Sequence, residues 1–474
     1  MFRVPKDTVM TPELLSKFIN KHKLEVKNRF QQLQDAYENT YDIDDITKHP
    51  KKPAYKPDNR IKINHAKFIV DTFNGFFIGV PIKITVNDEE GNTDKVSEFV
   101  ELIDRNNHLD NKNREIAKLS DIQGSSNEIY FADENGDIGI MQLSRLESFF
   151  IYDESIRTRP MFFVRYYKDA KNVERGSWSD ASVVQKFVKD GSYKWDGEPE
   201  PHYFDGVPAT EYPENTERRG LFESELAAIN EYNKALSEKA NDVDYFADAY
   251  LKILGPHVDE NDTVHMRSTR VLNFEGDEGA FPQIDFMAKP SADSTQENLL
   301  NRLKADIFQT SMVPDINDEN FGSVSGIALK YRLLSMSNMA KVKQGLFKES
   351  LARRYKIIFS HPFAGTAGVQ ADDWKRLDFH FTENYPANVA DEVDIARNLE
   401  GMVSKDTQLK VLSIVEDIQA EKERMESEDN DNETDIVDRL MFARNKTTDE
   451  GKKDEKSGKT ERGNTKTVKY RSGS

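Results

Sequence analysis

At 474 residues, 37% hydrophobic and 32% charged, the chain exceeds what one hydrophobic core usually organises and leaves much surface to water or polar partners. Its net charge of −18 argues against a protein that grips nucleic acid all over, because Lys and Arg supply most non-specific DNA affinity. There is no cysteine, which excludes a disulfide framework and thiolate metal sites, and no run of 18 apolar residues, so a soluble protein of a reducing cytoplasm without membrane contact is expected.

Residues 11–39 read as one amphipathic helix, with Leu14, Leu15, Phe18 and Ile19 in front and Phe30, Leu33, Ala36 and Tyr37 behind. Three prolines between Lys48 and Asp58 break it and read as an exposed link. Residues 59–84 join a helical period through Ala66, Ile69, Val70 and Phe73 to a Gly79-Val80-Pro81 turn that leads into a strand. From Glu128 to Trp195 the period becomes two. Asn135-Gly136 between alternating runs is a hairpin signal, and FFVRYYK and SVVQKFV continue an antiparallel sheet.

A rod follows from Glu223 to Leu251. Leu226, Ile229, Asn233, Leu236, Ala240, Val243, Ala247 and Tyr250 alternate at three and four, a coiled-coil-like seam. With one Asn and two Ala the seam is thin and suits packing against identical neighbours. Gly255-Pro256 ends it, and Thr269–Phe274 and Gln283–Met287 read as strand-like pieces of a short charged module. A second helix starts at Ser294, with a capping box to Glu297, and stops before Pro314.

A Gly/Ser-rich loop then opens into a proline-free run of about 34 residues, a rod of roughly 50 Å. Its apolar stripe is Leu329, Leu333, Met336, Ala340, Phe347, Leu351, Tyr355 and Ile358, with Lys341, Lys343, Lys348 and Arg353 pointing elsewhere. Trp374–Phe381 alternates as a strand. Ser404 is placed to cap a helix whose packed face is Leu409, Leu412, Val415 and Ile418. An acidic region between Glu416 and Asp435 leads to a tail that, from Asp449 on, has almost no apolar side chain and reads as disordered.

Motifs of chemistry are poorly supported. Ser457-Gly458-Lys459-Thr460 ends like a phosphate-binding loop, but Lys453 stands where glycine is needed and no buried strand precedes it. Gly322-Ser323-Val324-Ser325-Gly326 has Val324 where a nucleophile elbow requires serine. The acids at 315–319 and 429–433 lack the glycine and glutamate of a calcium loop. The nine histidines never fall in HxxxH or HExxH spacing, so no metal or other cofactor is expected. His65, beside an apolar helical run, reads as a packing or surface residue, and the VRYYK aromatics as a half-exposed hairpin.

The SGIALK opening of the long helix resembles the helix after the tunnel loop in portal proteins of tailed bacteriophages, head-to-tail connector rings of the siphophage type from Gram-positive hosts. FIVDTFNGFFIGVPIKI (Phe68–Ile84), IYDESIRTRPMFFVRYY (Ile151–Tyr167), EYNKALSEKANDVDYFADAYLKILG (Glu231–Gly255), FTENYPAN (Phe381–Asn388) and GMVSKDT (Gly401–Thr407) are similar to that family in the same order. The resemblance implies an α+β portal-type fold with an antiparallel β wing and clip, long stem helices and a helical crown. The wing would hold 1–220, stem helices 221–253 and 291–313, the clip 254–290, the tunnel loop 314–325, the long helix and inner wing 326–390, the crown 391–428, and the tail 429–474.

It also implies a non-enzymatic ring, a dodecamer, assembled in the host cytoplasm and placed at the unique capsid vertex of the virion as the conduit for genome packaging and ejection. Its partners would be the terminase large subunit, head-completion or adaptor proteins, scaffold and major capsid protein, and the double-stranded DNA passing through, with no membrane. ATP hydrolysis would belong to the motor. Asp315, Asn317, Asp318, Glu319, Asn320, Phe321, Gly322, Ser325 and Gly326 would face DNA. Leu226, Ile229, Leu236, Val243, Leu300, Leu303 and Ile307 would pack the stem, and Asp259, Glu260, Asp262, Arg267, Arg270, Glu275 and Asp277 would form the clip's docking surface. Two alternatives stay open: another phage head or scaffold protein without a channel, and a cytoplasmic phosphate-handling enzyme.

Overall fold

The computed structural model describes residues 2–53, 56–87, 93–133, 136–247, 251–254, 283–286, 293–316, 326–384 and 389–412, and short pieces between 414 and 427. The chain is α+β and divides into two units, Met1–Tyr385 and Pro386–Ser474.

Strand Phe2–Val4 (β1) precedes a helical run in which Pro12–Glu25 (α1) and Gln31–Tyr37 (α2) are separated by a π-helical turn, Val26–Phe30. Thr11 caps it by accepting from the Leu14 N–H at 3.3 Å. The single amphipathic helix expected over 11–39 is thus divided, and the division has a use. A π turn inserts an extra residue and so rotates α2 about the helix axis relative to α1. Leu15, Phe18 and Ile19 pack with Phe149, Ile151 and Phe162, whereas Leu33 and Ala36 belong to a separate core with Ile69 and Phe73.

His65–Ile78 (α3) and Lys83–Val86 (β2) realise the mixed helical and strand reading of 59–84. Two helices follow, Thr93–Asn107 (α4) and Leu109–Gln123 (α5), whose buried Val96, Phe99, Val100, Ile103, Ile116 and Ala117 enclose the same core. The expected hairpin is Ser125–Ala132 (β3) with Ile138–Leu143 (β4), Ile129 opposite Met141. At its turn Gly136 takes φ +87°, which a side chain would resist.

Ser148–Asp153 (β5), Pro160–Lys168 (β6), Glu174–Ser179 (β7), Val183–Asp190 (β8), Ser192–Trp195 (β9) and Glu200–Pro201 (β10) build a sheet ordered β1-β5-β6-β7-β8-β10, with β9 also on β8. Only the β1–β5 pairing is parallel within it. Ala209–Pro213 (β11) joins the other sheet as β11-β3-β4.

Leu226–Ala247 (α6), Leu251–Leu254 (β12), Gln283–Phe286 (β13) and Asp293–Ser311 (α7) follow, with β12 antiparallel to β13. The expected strand at Thr269–Phe274 lies outside the described residues. The long rod is two helices, Gly326–Arg332 (α8) and Leu334–Ser360 (α9), so the longer piece has 27 residues, about 40 Å. The helix loosens at Leu333, whose ψ of −3° sits at the edge of the right-handed helical region although its N–H still reaches Leu329 O at 3.0 Å; neither proline nor glycine announces the division. Pro362–Thr366 (α10) and strand Leu377–His380 (β14), paired with β2, complete the unit.

In the second unit, Val389–Asn398 (α11) precedes Lys405–Leu409 (α12), capped by Ser404 as expected, but α12 stops at Leu409, short of Leu412, Val415 and Ile418. The tail from 428 on lies outside the described residues.

Candidate functional site

The helix pair α6 and α7 carries the expected stem and clip, because β12 and β13 lie between them in the chain and residues 314–325, the expected tunnel loop, follow α7. Ile229 and Ile307 are fully buried, Leu300 nearly so, Leu226, Leu236 and Leu303 half-buried, and Val243 is 62% exposed in the single chain. His65 at the start of α3 packs edge-on against Tyr232 of α6 and Phe308 of α7, at 4.9 and 5.5 Å between ring centres, and burial lowers its pKa to about 4. It is a packing residue. Glu297 pairs with Lys239 of α6 instead of closing a capping box on Ser294, and Gln296 donates to Asp242 Oδ2 at 3.0 Å.

Asn233, the seam's one Asn, and two polar residues of α6 beside the seam, Ser237 and Asn241, have partners within the chain. Asn233, Ser237 and Asn241 are buried, four residues apart, and accept from the backbone N–H groups of Ile63 (2.8 Å), Ile61 (2.9 Å) and Asn59 (2.6 Å). A helix advances about 6.0 Å in four residues and an extended chain about 6.6 Å in two, so the repeats nearly match. Of the seam expected to suit identical neighbours, Asn233 therefore has its partner in residues 59–63 of its own chain. Lys52 also pairs with Glu238 at 2.6 Å, so the proline-rich link lies along α6.

At the foot of α7, Asp315 pairs with Lys304 at 2.7 Å, and Gly326 opens α8. Of the expected DNA-facing residues, Asn317, Asp318, Glu319, Asn320, Phe321, Gly322 and Ser325 lie outside the described residues. So do the docking candidates Asp259, Glu260, Asp262, Arg267, Arg270, Glu275 and Asp277, and the Ser457–Thr460 motif. The β12–β13 pairing, Leu251 opposite Phe286 and Leu254 opposite Gln283, closes the base of the segment that carries the docking candidates.

The long helix α9 is fixed by buried charge. Lys343, expected to point away from the apolar stripe, is 1% exposed, with Nζ 2.5 Å from Asp121 and 2.6 Å from Glu214. Burial opposes its charge, yet the two carboxylates hold its pKa above the ordinary value; burial also drives Asp121 well up, against the pull of Lys343. Three turns on, Arg354 makes a two-pronged pair with Glu128 at 2.8 and 2.9 Å and donates to Asn113 at 2.7 Å. Tyr130 and Tyr212 donate to the same Glu128 carboxylate, each at 2.9 Å. Arg353, likewise expected off the apolar stripe, donates to Ala209 O and Val207 O. A further cluster holds β11: Arg145 and Arg218 flank Glu211, and despite burial these partners lower its pKa to about 2.

A cavity of about 150 Å³ lies beside α9, between Ile84, Val100, Asp104, Asp110, Asn113 and Tyr355. Burial, then the neighbouring Asp110, raises the Asp104 pKa. No group of three metal-ligating side chains occurs among the described residues. Nor does any described helix have the length and apolarity to cross a membrane. The charged groups brought together here brace helices against sheets.

The family model described as phage portal protein, SPP1 Gp6-like, matches residues 16–435. The chain is similar to the portal protein of Clostridium phage phiCD119, 22% identical over 430 residues that cover 83% of this chain and 92% of that protein.

Proposed function

The chain belongs to the SPP1 Gp6-like phage portal proteins, and on that premise we propose that it forms a closed ring at one vertex of the capsid, through which the genome is packaged and later ejected. The family is structural. Here α6 and α7 act as the stem, the β12–β13 segment as the clip, residues 314–325 as the tunnel loop, 1–220 as the wing with α9, and 391–428 as the crown.

The observation that most supports this reading is the anchorage of the helix pair. The α6 polar ladder and the His65 rings tie the pair to the core, while one end carries a β excursion and the other leads into the loop. Such a pair can hold both at fixed places in every copy. A clip so held would dock the terminase large subunit during packaging and head-completion proteins afterwards. The wing and crown would meet scaffold and major capsid protein, and double-stranded DNA would cross a wall of tunnel loops. ATP hydrolysis falls to the motor. Twelve copies are the stoichiometry proposed.

Electron microscopy of the purified full chain tests this directly. Rings with a central hole wide enough for a duplex are expected; monomers, or open filaments from a rotation that does not close, would refute the reading.

A further inference from the structure

Along α9 from Leu334 to Glu349 the face opposite Lys343 and Arg354 is not covered by any described residue. At about 100° per residue, Leu334, Lys341, Val342 and Lys348 all lie within about 60° of Gly345, and Tyr331 of α8 leads into the same exposed stretch. Tyr331, Leu334 and Val342 are 74%, 49% and 60% exposed. Lys341 and Lys348 are exposed and form no ion pair with any described residue. Gly345 itself is exposed, and a Cβ built on it meets nothing within 4 Å. Alanine would suit that helix position better, since an interior glycine is disfavoured by backbone entropy and exposed amide surface. Nothing among the described residues calls for glycine there.

We infer that Gly345 is where a second copy of this chain crosses α9, its backbone admitted by the missing side chain and an acidic surface of that copy seated on Lys341 and Lys348. The inference rests on the ring reading above and adds to it a particular face. A ring contact is heterologous, so this face meets a different surface of the neighbour. With a net charge of −18, another copy offers acids to lysines that pair with no described residue. Tyr331, Leu334 and Val342 supply the apolar area that such a contact buries. DNA is the poorer occupant. Phosphates would satisfy the lysines, but they have no use for exposed leucine and valine around a glycine.

The test compares the full-length chain with Gly345→Leu and with Lys341→Glu/Lys348→Glu. Ring fraction is read by sedimentation velocity and electron microscopy across a salt series, folding by circular dichroism, and duplex retention by a filter assay. Both variants should keep the wild-type spectrum while their ring fraction falls at least tenfold at matched concentration, and wild-type assembly should weaken with salt. The charge-reversal pair alters only exposed side chains, so it keeps the test open if Gly345→Leu disturbs the helix. Rings that form normally in both variants overturn this inference alone. Normal rings with lost duplex retention overturn it in favour of a DNA-facing surface. Absence of rings in the wild type overturns the ring reading, and this inference with it.

Discussion

Lys343 Nζ stands 2.5 Å from Asp121 Oδ1, joining residues 222 positions apart where neither side chain reaches water. Glu214 shares the same ammonium, so one cation serves two buried carboxylates.

Lys343→Met should therefore cost about 3–5 kcal/mol, because it strands two buried acids that cannot both ionise without a counter-charge. Adding Asp121→Asn and Glu214→Gln should recover part of that. Denaturant unfolding measures both, and a single-mutant loss below about 1 kcal/mol would show the site to be wet.

His22 gives a pH dependence. Burial and, next, Arg145 lower its pKa to about 3, while Nδ1 keeps a 2.9 Å hydrogen bond to Tyr166. The unfolded chain binds that proton more tightly, so its share of stability is complete above about pH 6.5 and is lost as pH falls toward 3. His65 adds to the loss in the window from about 6.5 down to 4. Between pH 7 and 5, His22→Gln should lose about 2 kcal/mol less than the wild type. Equal losses in urea titrations at the two pH values would count against a buried neutral imidazole.

Asn233→Ala and Ser237→Ala each leave a backbone N–H of residues 59–63 without its acceptor, at a cost of about 1–3 kcal/mol. The segment Lys48–Ile63 should become a new site of limited proteolysis. Unchanged cleavage kinetics would mean that the ladder is not what holds it.

Much of this architecture is legible in the chain, where local pattern and tertiary environment agree. Ala66, Ile69, Val70 and Phe73 repeat as a helix buries them, and Asn135-Gly136 signals the β3–β4 hairpin. Reading fails where the partner is distant. Phe2–Val4 is too short to announce a strand and finds its neighbour at Ile151–Asp153. Lys343 and Arg353 look solvated by residue type alone, and their true surroundings come from α5, β11 and the residues beside it. Asn233 of the α6 seam accepts from Ile63, a partner that cannot be read locally, since nothing in residues 59–63 advertises three N–H groups in search of acceptors. By contrast, α4 and α5 carry a usable helical signal in the spacing of Val96, Phe99, Val100, Ile103, Ile116 and Ala117.

For the proposed tunnel loop, Asp318→Lys with Glu319→Lys should leave rings intact but slow packaging, because new cations would hold phosphates that the native acids repel within the ~8 Å screening length. Higher salt should partly restore the rate. A normal rate with unchanged salt dependence would place this loop away from DNA.

For the proposed clip, deletion of Asp259–Gly279 spares β12 and β13, so the wing should stay folded while motor or connector binding is lost in pull-down assays. Packaging at the wild-type level by the deletion would rule the assignment out.

The ladder on α6 also works as a vernier. Each rung gains about 0.6 Å of mismatch, so three fit comfortably and a long series would drift out of reach. The ends agree with that limit: two residues before Asn59 stands Pro57, which has no N–H to give, and four before Asn233 stands Ile229, which has nothing to accept with. The extended segment is thereby measured to a fixed length before α3 begins. One residue inserted between Asn59 and Ile63 would put the side-chain acceptors out of step with the amides, shifting where α3 starts rather than merely loosening a loop.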